Sequence, residues 1–171
     1  EQAKNRAVLK EPRFARDLGS LDDLLARFDD SLAAVRGELE QRVRDGRIVD
    51  GHGDLRPEHV CLVDPPVVID CLEFSERLRM IDPFDELVYL GLDCAVIGAP
   101  AIRCDLIERC AAGLGDLPSV GVLRLYEAYR ALLRARQSLA HLLVPAPRDP
   151  AKWMPKALGY IGVAERALLT R

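Results

Sequence analysis

Between positions 21 and 43 the apolar residues fall at Leu21, Leu24, Leu25, Phe28, Leu32, Val35, Leu39 and Val43. Steps of three and four lay these side chains along one face of a long helix. Ser20 stands where a cap belongs, Asp22 and Asp23 occupy the first turn, and Gly46 lies just past the end. The pattern then changes. Ile48-Val49 leads into the polar stretch 51–58, and two short β-branched runs follow, Val60-Cys61-Leu62-Val63 and Val67-Val68-Ile69. Asp64-Pro65-Pro66 separates them, so the spacing predicts a hairpin-like pair of short strands around a turn. Helical spacing returns after Asp82-Pro83, with Asp82 as N-cap, Pro83 in the first helical position and Glu86 in the first turn. Leu87, Val88, Leu90 and Leu92 carry its apolar stripe until Gly98-Ala99-Pro100 breaks it. Further helices are predicted over 101–112, 120–143 (ended by Pro145 and Pro147) and 150–169. The expected fold class is α+β, mostly helical, with a few short strands in the middle of the chain.

Composition narrows the picture. A chain of 171 residues with 49% hydrophobic content suits a single domain over 1–171 with a real core. The net charge of −3, with both signs interspersed, points away from a nucleic-acid partner. No apolar run reaches the length of a membrane span and no signal segment opens the chain, so no membrane partner and a cytoplasmic location are expected. Cysteines at 61, 71, 94, 104 and 110 are odd in number and form no C-x-x-C pair. That argues against a disulfide framework or thiolate zinc site, and predicts that most of them are small core residues in a reducing compartment. His52, His59 and Cys61 lack a fourth zinc ligand at usual spacing. The stripe Tyr126, Tyr129, Arg130, Leu133 and Arg134 reads as helix packing with snorkelling arginines. Because the chain starts at Glu1 without Met, it is expected to be a piece of something longer.

Three acids stand in strand-and-loop context. Asp54 sits in the polar loop, Asp70 ends the run Val67-Val68-Ile69, and Asp82 precedes a proline at a helix start. Carboxylates at strand ends joined by a short hairpin can meet at one mouth. Hard divalent cations take one or two such carboxylates plus substrate phosphates. A further carboxylate can accept a proton from an attacking hydroxyl, or orient it. Glu73 reads equally as a further acid near such a metal or as a surface residue.

The segment His52-Gly53-Asp54-Leu55-Arg56-Pro57-Glu58-His59 resembles the H-G-D-x-x-x-x-N catalytic loop of the aminoglycoside phosphotransferase and choline kinase group, the counterpart of the protein-kinase H-R-D loop. Val68-Ile69-Asp70 is similar to the following I-D segment, which corresponds to the D-F-G aspartate. Leu78-Arg79-Met80-Ile81-Asp82-Pro83-Phe84-Asp85-Glu86-Leu87 is similar to the D-P-x-x-D-L stretch that comes next. The combination of Asp70-Cys71-Leu72-Glu73-Phe74 with Tyr129-Arg130-Ala131 resembles a bacterial branch in which such a domain is often joined to a P-loop ATP-binding domain.

The resemblance, which covers about 20–140, implies the large C-terminal lobe of a protein-kinase-like phosphotransferase with its catalytic site on a short β-hairpin. It implies Asp54 as the catalytic base or hydroxyl-orienting carboxylate, with Arg56 near the transferred phosphate. Asp70 becomes the main Mg²⁺ ligand, His59 stands in the metal-binding asparagine position, His52 supports the loop, and Asp82 bonds the loop backbone. The implied cofactors are Mg²⁺, with Mn²⁺ as substitute, and ATP or GTP as phosphate donor. The implied partners are a small-molecule hydroxyl acceptor, a nucleotide-clamping N-terminal lobe and a fused P-loop ATPase domain. Two departures matter. An imidazole at 59 suits Mn²⁺ or Zn²⁺ better than Mg²⁺. The residues before Asp54 read as helix and hold no glycine-rich hairpin with a strand lysine, so this chain alone is expected to bind nucleotide poorly. A catalytically degenerate kinase-like regulatory or scaffold module is the alternative, and a metal-dependent phosphohydrolase a third class.

Overall fold

The computed structural model describes residues 1–169. Helix dominates: α1 (Gln2–Leu9), α2 (Ala15–Leu18), α3 (Asp22–Arg44), α4 (Glu76–Arg79), α5 (Pro83–Val96), α6 (Ile102–Leu114), α7 (Val120–Ala140) and α8 (Pro150–Leu169). Among the described residues there are also four strands of two residues each: β1 (Val49–Asp50), β2 (Val60–Cys61), β3 (Val67–Val68) and β4 (Met80–Ile81). The fold is therefore mostly helical α+β. Among the described residues no helix is long and apolar enough to cross a membrane.

Two compact units divide the chain, one of Glu1–Ala34 with residues 127–169 and one of Val35–Tyr126. In the first, Leu21 just before α3, and Leu24, Leu25 and Phe28 on it, are buried on the face that their spacing predicted. Arg6 of α1 donates to the Leu25 carbonyl and pairs with Asp29. On α7, Arg130 and Arg134 lie buried rather than snorkelling, and Arg134 Nε donates to the Tyr160 hydroxyl at 3.3 Å. Burying a guanidinium requires such partners.

The second unit is organised around α5. Asp82 caps it by accepting from the Phe84 N–H at 3.0 Å, as the Asp-Pro pair predicted. Phe84, Val88, Tyr89 and Leu92 are buried, each exposed by 2% or less. α6 packs on α5 at Gly91, where a β-carbon would stand 2.5 Å from Arg103 Cβ. Only a glycine allows that approach.

The C-terminal part of α3 departs from its apolar stripe. Val43, expected on the buried face, is 62% exposed, and neighbouring Arg42 is buried instead. Its guanidinium pairs with Asp82, and with Asp116 at 2.8 Å. The Tyr126 hydroxyl donates to Asp82 at 2.9 Å. Desolvation works against the charge on Arg42, but the hydrogen bonds and charges of Asp82 and Asp116 outweigh it and raise its pKa. The hydrogen bond from Arg42 holds the Asp116 carboxyl below its usual range. Desolvation, and then the Asp82 charge, push the Tyr126 phenol well above its usual range.

The hairpin is shorter than the apolar runs suggested, with Val60 opposite Val68 and Cys61 opposite Val67. Leu62 and Val63 fall outside the ladder and are 89% and 58% exposed. The turn at Asp64-Pro65-Pro66 explains the shortening, because two prolines offer no N–H to extend pairing. β1 pairs antiparallel with β4, Val49 opposite Ile81 and Asp50 opposite Met80, a pairing the sequence did not disclose. Arg79 reinforces it with a two-pronged contact to Asp50 at 2.7 and 3.2 Å. The cysteines correct an expectation: all five are free thiols, but only Cys94 is buried, and Cys71 and Cys104 are exposed.

Candidate functional site

The polar loop runs from β1 through a 3₁₀ turn, Pro57–His59, into β2, entirely within the second unit. Its backbone is held from below by one face of α5. Glu86 is buried, and its carboxylate accepts the His52 N–H at 2.9 Å and the Gly53 N–H. One turn on, the buried Tyr89 hydroxyl donates to Asp54 Oδ1 at 3.0 Å. A further turn on, buried Asp93 accepts from Arg56 Nε at 3.2 Å. Positions 86, 89 and 93 share one helical face. They contact loop residues 52–53, 54 and 56 in the same order, so the helix acts as a template for the loop.

Two glycines make the close approach work. A β-carbon at Gly51 would lie 2.6 Å from Glu86 Oε2 and 2.7 Å from Ile81 Cγ2. Gly53 has φ +82°, and a β-carbon there would lie 2.9 Å from Leu72 Cδ1 and 3.0 Å from the Leu78 carbonyl. Only glycine adopts such a backbone at no steric cost.

The other side of the loop is tied to the hairpin through two histidines. His52 Nε2 donates to the Ile69 carbonyl at 2.7 Å, leaving Nδ1 to accept the Asp54 N–H at 3.3 Å. Both bonds call for the same tautomer. The His52 carbonyl accepts from the Leu72 N–H at 3.0 Å, and the His59 carbonyl from the Ile69 N–H at 2.9 Å. These bonds bracket Asp70, which sits at φ +61°, a left-handed conformation that Asp tolerates better than most residues. Strained backbone of this kind persists where its surroundings over-determine it. His59 is buried, its Nδ1 lies 2.8 Å from the Asp54 carbonyl, and its Nε2 lies 3.4 Å from Asp70 Oδ2.

The structure thus brings together Asp54, His52, His59 and Asp70. It separates two other expected roles from the loop. Asp82 does not hold the loop backbone; its oxygens face Phe84 N, Arg42 and Tyr126, and Glu86 takes that part. Arg56, expected beside a transferred phosphate, has its charge engaged by Asp93 and Glu58. Glu73 is exposed. Sequence reasoning placed Glu86 only in a helix first turn and passed over Tyr89 and Asp93. The signal was present: hydrogen-bonding side chains at i, i+3 and i+7, Glu86, Tyr89 and Asp93, recur along one face of a mainly apolar helix.

Among the described residues no group of three or more His, Cys, Asp or Glu side chains comes together as a metal cage. The His59–Asp70 pair is of the kind that fits an ion completed by phosphate and water oxygens. Two donors each ~2.1 Å from one ion stand ~3.0–3.4 Å apart in octahedral or tetrahedral geometry, and 3.4 Å is the separation found here.

No family model matches the chain, and no solved structure matches it. An uncharacterised protein of Mycobacterium bovis and two uncharacterised proteins of Mycobacterium tuberculosis are each 36% identical to it over 96 residues. That stretch is 56% of this chain and 19% of each relative's length, so the chain matches about a fifth of those proteins.

Proposed function

We propose that this chain is the catalytic lobe of a kinase-like phosphotransferase that moves the γ-phosphate of ATP or GTP to a hydroxyl of a small molecule. The observation that carries the reading is the arrangement around Asp54. The Tyr89 hydroxyl orients one carboxylate oxygen, α5 holds the loop backbone, and His59 links the loop to Asp70. Such preorganisation is what phosphoryl transfer asks of a protein, since little covalent chemistry falls to the side chains. In this reading Tyr89 leaves the second oxygen of Asp54 to take the acceptor hydroxyl, orienting it and receiving its proton. Asp70 and His59 are the residues that would hold a divalent ion, Mg²⁺ or Mn²⁺. When bound, that ion supplies neutralisation of the nucleotide phosphates. The order and spacing of the three motifs support the same reading.

A second reading, a catalytically degenerate module acting in regulation or assembly, is favoured by the engagement of Arg56 with Asp93 and Glu58, which costs the site a phosphate-facing cation. The test uses a full-length protein carrying this chain, supplied with ATP or GTP, Mg²⁺ or Mn²⁺, and a panel of hydroxyl metabolites. Acceptor-dependent nucleotide consumption is expected, falling at least ~10³-fold in Asp54→Asn while nucleotide binding persists. Phosphate release without any acceptor points to a hydrolase. Intact protein that binds no metal–nucleotide at all refutes the enzyme reading.

A further inference from the structure

We propose that the His59–Asp70 pair takes a borderline divalent cation such as Mn²⁺, Co²⁺ or Zn²⁺ in preference to Mg²⁺. The inference deepens the phosphotransferase reading and rests on it for the presence of a cation at this place. It starts from a hydrogen bond. The Asp54 carbonyl can only accept, so the His59 Nδ1 at 2.8 Å from it carries the proton. In the neutral ring this tautomer places a lone pair on Nε2, the nitrogen that faces Asp70. An ionised carboxylate offers only lone pairs as well. Two acceptors therefore face each other at 3.4 Å, an arrangement that a shared cation satisfies.

The 3.4 Å separation lies within the span of two donors on one ion.

His52 cannot take over the ligand role, because its Nε2 donates to Ile69 and its Nδ1 accepts from Asp54. Instead its ring stacks on that of His59, at 5.4 Å and 23° between planes, and fixes the plane in which the Nε2 lone pair points. A backbone partner that sets tautomer and ring orientation is the usual support for a ligating histidine. Asp70, whose side chain is 78% exposed, is held at φ +61° by the bonds on Ile69 and Leu72, so its carboxylate is presented without being buried. One nitrogen and one oxygen donor form a mixed set. Mg²⁺ favours oxygen-only coordination, whereas imidazole suits the later first-row ions.

The test is metal binding by a full-length protein carrying this chain, with the ions themselves as probes. Mn²⁺ is titrated with free ion read by electron paramagnetic resonance, and Mg²⁺ is the competitor. Mn²⁺ is expected to bind about tenfold or more tightly than Mg²⁺. His59→Asn should bring the two ions to similar affinity, and Asp70→Asn should weaken both. Because His59 is buried, a measurement on the unsubstituted chain decides the matter if the variant fails to fold. In ¹⁵N-histidine NMR, Zn²⁺ should move the His59 Nε2 resonance to a metal-coordinated position while His52 Nε2 keeps its proton. Equal affinity for Mn²⁺ and Mg²⁺, or a His59 Nε2 that Zn²⁺ leaves unmoved, overturns the preference; acceptor phosphorylation by the full-length protein then still measures the phosphotransferase reading separately. No binding of either ion by the full-length protein, with or without ATP, overturns both.

Discussion

Replacing Gly53 by alanine sets backbone strain and steric conflict against each other in a way the structure lets us separate. At φ +82° an L-residue costs about 1–2 kcal/mol, from which the reduced freedom of the unfolded chain returns about 0.4–1 kcal/mol. The added methyl would also meet Leu72 Cδ1 at 2.9 Å and the Leu78 carbonyl at 3.0 Å. The leucine methyl can turn aside, but the carbonyl belongs to backbone just before β4, so relief requires shifting that segment. Overpacking of this kind adds about 1–3 kcal/mol, and the total expected for Gly53→Ala is about 2–4 kcal/mol. Gly46 is the control. It has φ +68°, and a β-carbon there would have nothing within 4 Å, so Gly46→Ala should cost only about 1 kcal/mol. Urea unfolding followed by far-UV circular dichroism measures both, with similar slopes licensing the comparison. If Gly53→Ala costs no more than Gly46→Ala, the tight seat of the loop against Leu72 and Leu78 is wrong.

Removing the buried cation in Arg42→Met leaves the buried Asp82 carboxylate without its cation and Asp116 with Arg47 alone, and should cost about 3–5 kcal/mol in the same unfolding assay. The pH dependence has a definite sign: the Asp116 pKa is depressed in the folded protein, so its contribution is present above its ordinary value of 3.8 and fades as pH falls through the lower folded value. Asp116→Asn should therefore destabilise at pH 7 and flatten the loss of stability below about pH 4, read from Tm across the acid range. Glu86→Ala would strip the partner from the His52 and Gly53 amides. Their hydrogen exchange should accelerate by more than that of neighbouring amides, at a stability cost of about 2–3 kcal/mol. Unchanged protection at both amides would show that α5 does not hold the loop.

Much of the helical framework was legible in the sequence because periodic apolar positions and end signals act locally. α3, α5 and α8 fall where spacing, the Asp82-Pro83 start and Pro150 put them. The polar loop, the hairpin turn and the candidates Asp54, His59 and Asp70 were legible for the same reason, since each stands in a short contiguous motif. Tertiary structure decided what depends on partners distant in sequence. Two-residue strands such as β1 and β4 carry no periodicity, and their pairing joins positions about thirty residues apart. Arg42 displaced Val43 from the buried face because Asp82 and Asp116 converge there to compensate a guanidinium, an electrostatic fact with no trace in the spacing of α3. The loop's support passed from Asp82 to Glu86 because an N-cap carboxylate is already committed to its own helix end, while a residue one turn further along points at the loop. The orientation of His59 Nε2 toward Asp70 likewise follows from one carbonyl, that of Asp54, brought within 2.8 Å by the folded loop.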